Sequence, residues 1–79
     1  MPFPFTYREY INDANKCTTS GYYRGTSSNS NTPQKYGIMV VFEAQDYILQ
    51  IYTYTTDSPR TWVRTSVDNG STWLSWHNL

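Results

Sequence analysis

The chemistry most readily suggested by this chain involves its single cysteine and single histidine, Cys17 and His77. A thiol becomes a nucleophile when a neighbouring base takes its proton, and imidazole is such a base. Neither residue lies in a supporting motif, so a Cys17–His77 dyad stays an open hypothesis and no enzymatic activity is expected. One Cys and one His also cannot build a Cys/His metal cluster, so we expect neither a metal nor a cofactor.

A second source of chemistry is a set of carboxylates able to act as the acid and base of a glycosidase. The set consists of Glu43, Asp46, Asp57 and Asp68. The aspartates stand in segments typical of turns, where Asp is favoured because its side chain bonds to nearby backbone groups. We therefore interpret these carboxylates as turn residues and not as a catalytic pair.

Charge and composition narrow the classes of partner. Six basic and six acidic residues cancel, and the basic ones are spread singly, so nucleic acid is not an expected partner. The sequence contains nothing near the ~18 consecutive apolar residues of a membrane span, so no membrane insertion is expected. Aromatic residues make up 18 % of the chain, which indicates a folded domain that buries rings in place of aliphatic side chains.

The usual stabilising devices of small domains are missing from these 79 residues. A lone cysteine forms no disulfide within its own chain, and metal-ligand spacing is absent. Domains of this size without such devices often gain the missing burial by oligomerising. The composition is therefore a first indication of assembly.

Hydrophobic patterning predicts a mainly β domain, built as a small antiparallel meander of about four to five strands. Tyr7, Tyr10, Ile11 and Ala14 recur at helical spacing, which allows one short N-terminal helix. The run IMVVFEA is apolar at nearly every position, so it should be buried on both faces or lie between subunits. Strands are predicted at YYR, with Gly21 before it as a turn residue, and at IMVVFEA, YILQIYTYTT, TWVRTSV and TWLSWHNL, joined by the polar loop GTSSNSNTPQKYG and by turns at AQD, DSPR and DNGS.

The aromatic end of the chain needs its own interpretation. Trp73 and Trp76 are three positions apart, so in a regular strand their rings point to opposite faces. One ring should seal the core, and the other should face a neighbouring subunit or solvent. Leu79 shares the side of Trp73, so these two residues are expected to anchor the chain end.

Two polar residues, Gln50 and Arg64, interrupt strands that are otherwise apolar or aromatic. One interpretation is that they face solvent. The other is that they hydrogen-bond to backbone groups of a neighbouring chain in a packed interface.

The order of these features resembles the pyocin-knob-like domains found near the C-terminal ends of phage tail fibres and R-type pyocin fibres. The resemblance covers about residues 13–79, with 1–12 as a leader or an added expression segment. The matching positions are Gly21-Tyr22, Pro33, Gly37 to Phe42, Gln50, Val63-Arg64, Trp73, Trp76 and Leu79.

The resemblance implies a homotrimeric, non-enzymatic domain located in the tail fibre of a virion, which carries or forms the part that touches a bacterial surface glycan or another host receptor. In that setting we expect structural roles for Gly37, Gln50, Arg64, Trp73, Trp76 and Leu79. Turn residues and an exposed aromatic are the candidates for receptor contact: Tyr54, Asp57, Arg60, Asp68 and Asn69. Two alternatives stay open, a purely structural trimerisation or spacer module and a monomeric carbohydrate-binding module.

Overall fold

The computed structural model describes residues 5–55 and 58–79 as one β-sheet with an irregular layer of chain on one side. The sheet has six strands in sequence order. These strands are β1 (Tyr7–Tyr10), β2 (Gly21–Arg24), β3 (Gly37–Ala44), β4 (Tyr47–Tyr54), β5 (Thr61–Ser66) and β6 (His77–Asn78). The mainly β prediction is confirmed, as are the central strands and the polar loop between β2 and β3.

The prediction of an antiparallel meander of about four to five strands, with a possible short N-terminal helix, is only partly right, because the sheet has six strands and is mixed. Strands β2 to β6 form the antiparallel meander, but β1 adds to its edge parallel to β2. Backbone hydrogen bonds join β1 to β2, from Tyr22 N to Thr6 O at 3.1 Å and from Ile11 N to Arg24 O at 2.8 Å. Because of these long-range hydrogen bonds, Tyr7–Tyr10 form a strand although their spacing is that of a helix. The sheet therefore already includes residues 7–10 of the segment 1–12.

The only helix among the described residues is a single 3-10 turn over Ala14–Lys16. Asp13 caps it by accepting a hydrogen bond from Asn15 N at 3.0 Å. The turn places Ala14 and Cys17 against the sheet, where both are buried in the hydrophobic core. The role of this turn is thus to place two side chains in the core.

One face of the sheet is buried by the irregular layer, which comprises residues 11–20, 25–36 and 67–76. Alternate residues of the central strands point into this covered face, as the period of two requires. Met39 and Val41 from β3 pair directly with Tyr52 and Gln50 from β4. All four are fully buried. The predicted face of β4 that carries Gln50 is therefore the core face.

The closing segment, residues 67–79, differs most from the predicted structure. The turn at DNGS forms, with Asn69 and Gly70 both at positive φ (59° and 86°), a backbone conformation in which glycine and asparagine are favoured. The residues after it do not form the predicted long strand, because only His77–Asn78 pair with β5. The other predicted turn, DSPR, begins at Asp57, outside the described residues.

Leu79 does not anchor the chain end, since its side chain is 73 % exposed. Instead Leu79 N donates a hydrogen bond to Thr61 O at 2.8 Å. Trp76 Nε1 donates to Asn31 O at 2.9 Å. The end is therefore held by backbone pairing and by an indole that reaches the polar loop.

Candidate functional site

The polar residues of the central strands meet in a buried network and face neither solvent nor another chain. Gln50 is fully buried, and its Nε2 donates to Ala14 O at 2.7 Å and to Cys17 O at 2.8 Å. Its Oε1 accepts from Arg64 Nε at 2.7 Å. The side-chain amide of Gln50 thus donates to two backbone carbonyls at the 3-10 turn and accepts a hydrogen bond from the guanidinium of Arg64. The hydrogen-bond partners of Gln50 and Arg64 belong to their own chain.

Arg64 completes this network between two indole rings. Its guanidinium carbon lies 4.2 Å from the ring centroid of Trp73 and 4.6 Å from that of Trp76. Burial lowers the pKa of Arg64 to about 10, so the side chain is still a cation at neutral pH. Its Nη2 has no hydrogen-bond partner in the described part of the chain. Cation–π contact with the two rings therefore supplies much of what stabilises the buried charge.

The expectation that Trp73 and Trp76 face opposite sides is wrong, because both rings lie against the same guanidinium. The segment between them is irregular, and so it escapes the alternation of a strand. Trp76 also packs edge-on against Tyr52, with ring centroids 6.2 Å apart. The network is a structural centre that ties the closing segment to the sheet.

The structure does not bring Cys17 and His77 together. Cys17 is buried in the core under the covered face. His77 is exposed in β6, where it pairs with Val63, and cross-strand partners share a face. Since Val63 alternates with the buried Arg64, His77 points to the opposite side of the sheet from Cys17.

We expect the Cys17 thiol to be nearly inert in the folded protein. Burial raises its pKa to about 12 from 9.0. At about pH 8, the thiolate fraction is then on the order of a thousandfold below that of an unshifted cysteine. Reaction with a thiol-specific dye should accordingly be slower by at least that factor in buffer than in guanidinium chloride. Similar rates in both solvents would show that the 3-10 turn opens readily.

The candidate receptor residues fall at two ends of the sheet. Tyr54 N bonds to Arg60 O at 2.9 Å, which places both at the end where β4 leaves the sheet. Asn69 N bonds to Asp46 O at 2.8 Å, at the turn where β4 begins. The eight residues of β4 separate these ends by roughly 24 Å. The candidates therefore do not form one site, and Asp57 lies outside the described residues.

Asp68 is occupied by its own turn. Its carboxylate accepts hydrogen bonds from Thr72 N at 2.9 Å, Thr72 Oγ1 at 2.5 Å and Ser66 Oγ at 2.9 Å. The bonds from Thr72, followed by that from Ser66, lower the pKa of Asp68 below its usual 3.8. A general acid of a glycosidase needs a raised pKa, so the geometry favours the turn interpretation of this carboxylate.

The face of the sheet opposite the core, here called the open face, carries a group of apolar side chains, most of them half-buried. Register places Val40, Ile51 and Val63 side by side across three strands. Phe42 pairs with Leu49 in the adjoining row. The open face thus consists of Val40, Phe42, Leu49, Ile51 and Val63. Phe42 is 48 % exposed although Phe5 stacks on it, with centroids 5.2 Å apart.

The open face explains the apolar run of β3. The sequence left two interpretations of that run, burial on both faces or a position between subunits. Met39 and Val41 fill the core, while Val40 and Phe42 lie on the open face. The sequence therefore already indicated this surface, because the run has apolar residues at the positions that point to each of the two faces of the sheet.

Two further observations concern the described residues alone. Within 5–55 and 58–79, no helix has the length and apolar character needed to cross a membrane. The same residues contain no group of three or more His, Cys, Asp or Glu side chains placed to hold a metal ion. Comparison of the chain with protein-family models, curated proteins and solved structures gave no match, so the resemblance to pyocin-knob-like domains stays a prediction.

Proposed function

We propose that this chain is a non-enzymatic domain of a phage tail fibre or pyocin-like fibre, which forms a homotrimer and contributes to binding of a host-cell surface glycan. The observation that carries the assembly is the open face, a row of β-branched and aromatic side chains on the side of the sheet away from the core. The fibre context rests on the sequence resemblance alone.

The open face offers a surface for self-association. The three strands that carry it, β3 to β5, lie at ~4.8 Å spacing and are at most eight residues long, so they span roughly 14 by 24 Å, an area near 340 Å². Stable interfaces bury about 800 Å² on each partner. The open face therefore has the size of the apolar centre of such an interface, and side chains around it must contribute the remaining area.

The core gives a second reason. Only eight hydrophobic residues of the described chain are buried, and the lone cysteine is free. Burying the open face between copies would add apolar burial that the single chain lacks, at ~25 cal/mol per Å². Assembly thus compensates for the small core.

The prediction is that the protein has the mass of three copies in solution and that Ile51→Lys abolishes this state. One chain is 9.3 kDa, so the trimer is about 28 kDa by native mass spectrometry or sedimentation equilibrium. A lysine at the centre of the open face introduces a charge that the interface must desolvate. The variant should therefore sediment as a monomer.

Leu74→Lys is the matched control, because Leu74 is 66 % exposed and is not part of the open face. It should stay trimeric. Circular dichroism checks that both variants are folded. A wild-type monomer at high concentration, or a trimer that Ile51→Lys leaves intact, would contradict the proposal.

A purely structural role is the second candidate, favoured by the use of Asp68 in its own turn and by the separation of the other candidates. Binding of the labelled trimer to host cells and to a glycan array discriminates between the roles. Binding supports receptor recognition. A folded trimer that binds neither indicates a spacer.

A further inference from the structure

A groove lined by tyrosines lies beside the open face, where β2 and β3 meet the polar loop. Its volume is about 630 Å³, within the ~300–1,000 Å³ typical of small-molecule sites. The side chains that shape it are Tyr7, Tyr22, Arg24, Tyr36, Ile38 and Thr55. We call it the tyrosine groove. Among the described residues, none of the receptor candidates that the sequence suggested lines it.

Two of its rings form a shared wall. Tyr7 on β1 is in register with Tyr22 on β2, so both side chains leave the same face of the sheet. Their ring centroids are 6.1 Å apart and their planes are tilted by 49°. Tyr7 is 46 % and Tyr22 is 39 % exposed. Phe5 also packs against Tyr22, with centroids 5.8 Å apart, so the pair keeps only part of its ring surface accessible. Its setting on two strands means that binding costs little side-chain entropy.

Tyr36 closes the groove from the loop side. Its backbone is held at φ 59°, by a hydrogen bond from Tyr36 N to Thr26 O at 3.2 Å and by one from Thr55 Oγ1 to Tyr36 O at 2.5 Å. Bulky residues rarely adopt this conformation, in which Gly and Asn are favoured. Tyr36 nevertheless presents its ring to solvent, so folding alone gives no reason for an aromatic side chain at this position.

Arg24 is the only charged side chain that lines the tyrosine groove among the described residues. Its guanidinium lies over the ring of Tyr10 at 5.5 Å, which orients it without using its N–H donors. A guanidinium matches a carboxylate in charge and in bidentate geometry. Charge complementarity therefore selects an anionic ligand.

We propose that the tyrosine groove binds an acidic saccharide, with Tyr7 and Tyr22 stacking on the apolar face of a sugar ring and Arg24 bonding to its carboxylate. Tyrosine combines a flat apolar ring with a hydroxyl, as recognition of a sugar requires. This inference rests on the proposed role in glycan binding and gives that role its ligand class and site.

The test measures binding by calorimetry to oligosaccharides containing hexuronic or sialic acid, each paired with its carboxyl-reduced counterpart. Wild-type protein should bind an acidic member and bind the reduced counterpart at least about tenfold more weakly. Arg24→Gln should weaken binding of the acidic member by a similar factor and abolish the difference between the pair. Lys16→Gln, an equal change in charge on the opposite side of the sheet, should leave binding unchanged.

A ring variant separates stacking from charge. Tyr36→Asn removes the ring and places at φ 59° a residue that tolerates this conformation. It should keep the wild-type melting temperature and lose affinity for acidic and reduced sugars alike. Failure of every acidic sugar to bind at millimolar concentration, or equal affinity for the reduced sugars, overturns the inference.

The same samples distinguish this failure from failure of the proposed function. Native mass is recorded for each variant, because Arg24 pairs with Ile38 on the same side of the sheet as the open face. A trimer that binds host cells without using the tyrosine groove refutes the groove alone. A monomer that binds acidic sugars through Arg24 refutes the trimer and leaves the groove supported.

Discussion

Gln50→Leu should remove about 3–5 kcal/mol from the free energy of unfolding, the cost expected when a buried charge loses its partner. Leucine fills a similar volume but leaves the carbonyls of Ala14 and Cys17 without their donor, and Arg64 Nε without its acceptor. A domain of 79 residues has a total stability of roughly 4–12 kcal/mol. Urea denaturation followed by tryptophan fluorescence should therefore show a variant close to unfolding in buffer.

Thr53→Val, a change on the same strand that also removes a hydrogen-bonding group, is the control. Thr53 lies on the other face, partly exposed, and bonds only to the Thr61 hydroxyl at 3.3 Å. It should cost less than about 1 kcal/mol. All variants are measured at one protomer concentration, because association contributes to apparent stability. A Gln50→Leu protein within about 1 kcal/mol of wild type would show that the network is not a main support of the fold.

Gly37→Ala should be the second large effect, with a loss of about 3 kcal/mol. A Cβ at this position would lie 2.3 Å from Cε1 and 2.4 Å from Cζ of Tyr52. Tyr52 is fully buried, with Trp62 and Trp76 against its ring, so it has little room to move. Replacing glycine in a strand would otherwise stabilise it by about 0.5–1 kcal/mol. The steric clash outweighs this gain, so the net effect is a loss of stability.

A double-mutant cycle isolates that clash. In a Tyr52→Leu background, the ring is gone and Gly37→Ala should become neutral or slightly stabilising. The coupling energy should then exceed about 1 kcal/mol. Equal costs of Gly37→Ala in both backgrounds would place the requirement for glycine in the backbone and not in the ring of Tyr52.

The sequence correctly predicted the central part of the fold because the information there is local. The apolar and β-branched residues of β3 and β4 identify the strands. Which face is the core, and that Gln50 is buried in it, was left open by the sequence. The Asn69-Gly70 pair identifies a turn because both residue types tolerate the positive φ that such a turn requires. The apolar run of β3 has apolar residues that point to both faces of the sheet, which also indicated a second surface that is buried in the chain or between subunits.

What the sequence alone could not decide depends on contacts between distant segments. β1 is a strand because β2 offers it backbone partners, and its own spacing resembles a helix. The tyrosine groove likewise exists only once β1 lies beside β2 and the polar loop returns Tyr36 to their side. Neither can be read from local periodicity, because the partners are far apart in the chain.

The closing segment shows the same limit most clearly. The alternation of side chains along a strand predicted that Trp73 and Trp76 point to opposite faces. In the structure both rings lie against the buried guanidinium of Arg64. The sequence by itself determined the central strands, the Asn-Gly turn and the lack of a disulfide. The tertiary structure decided where the ends of the chain go, because desolvating Arg64 in the core requires partners that only the folded chain brings together.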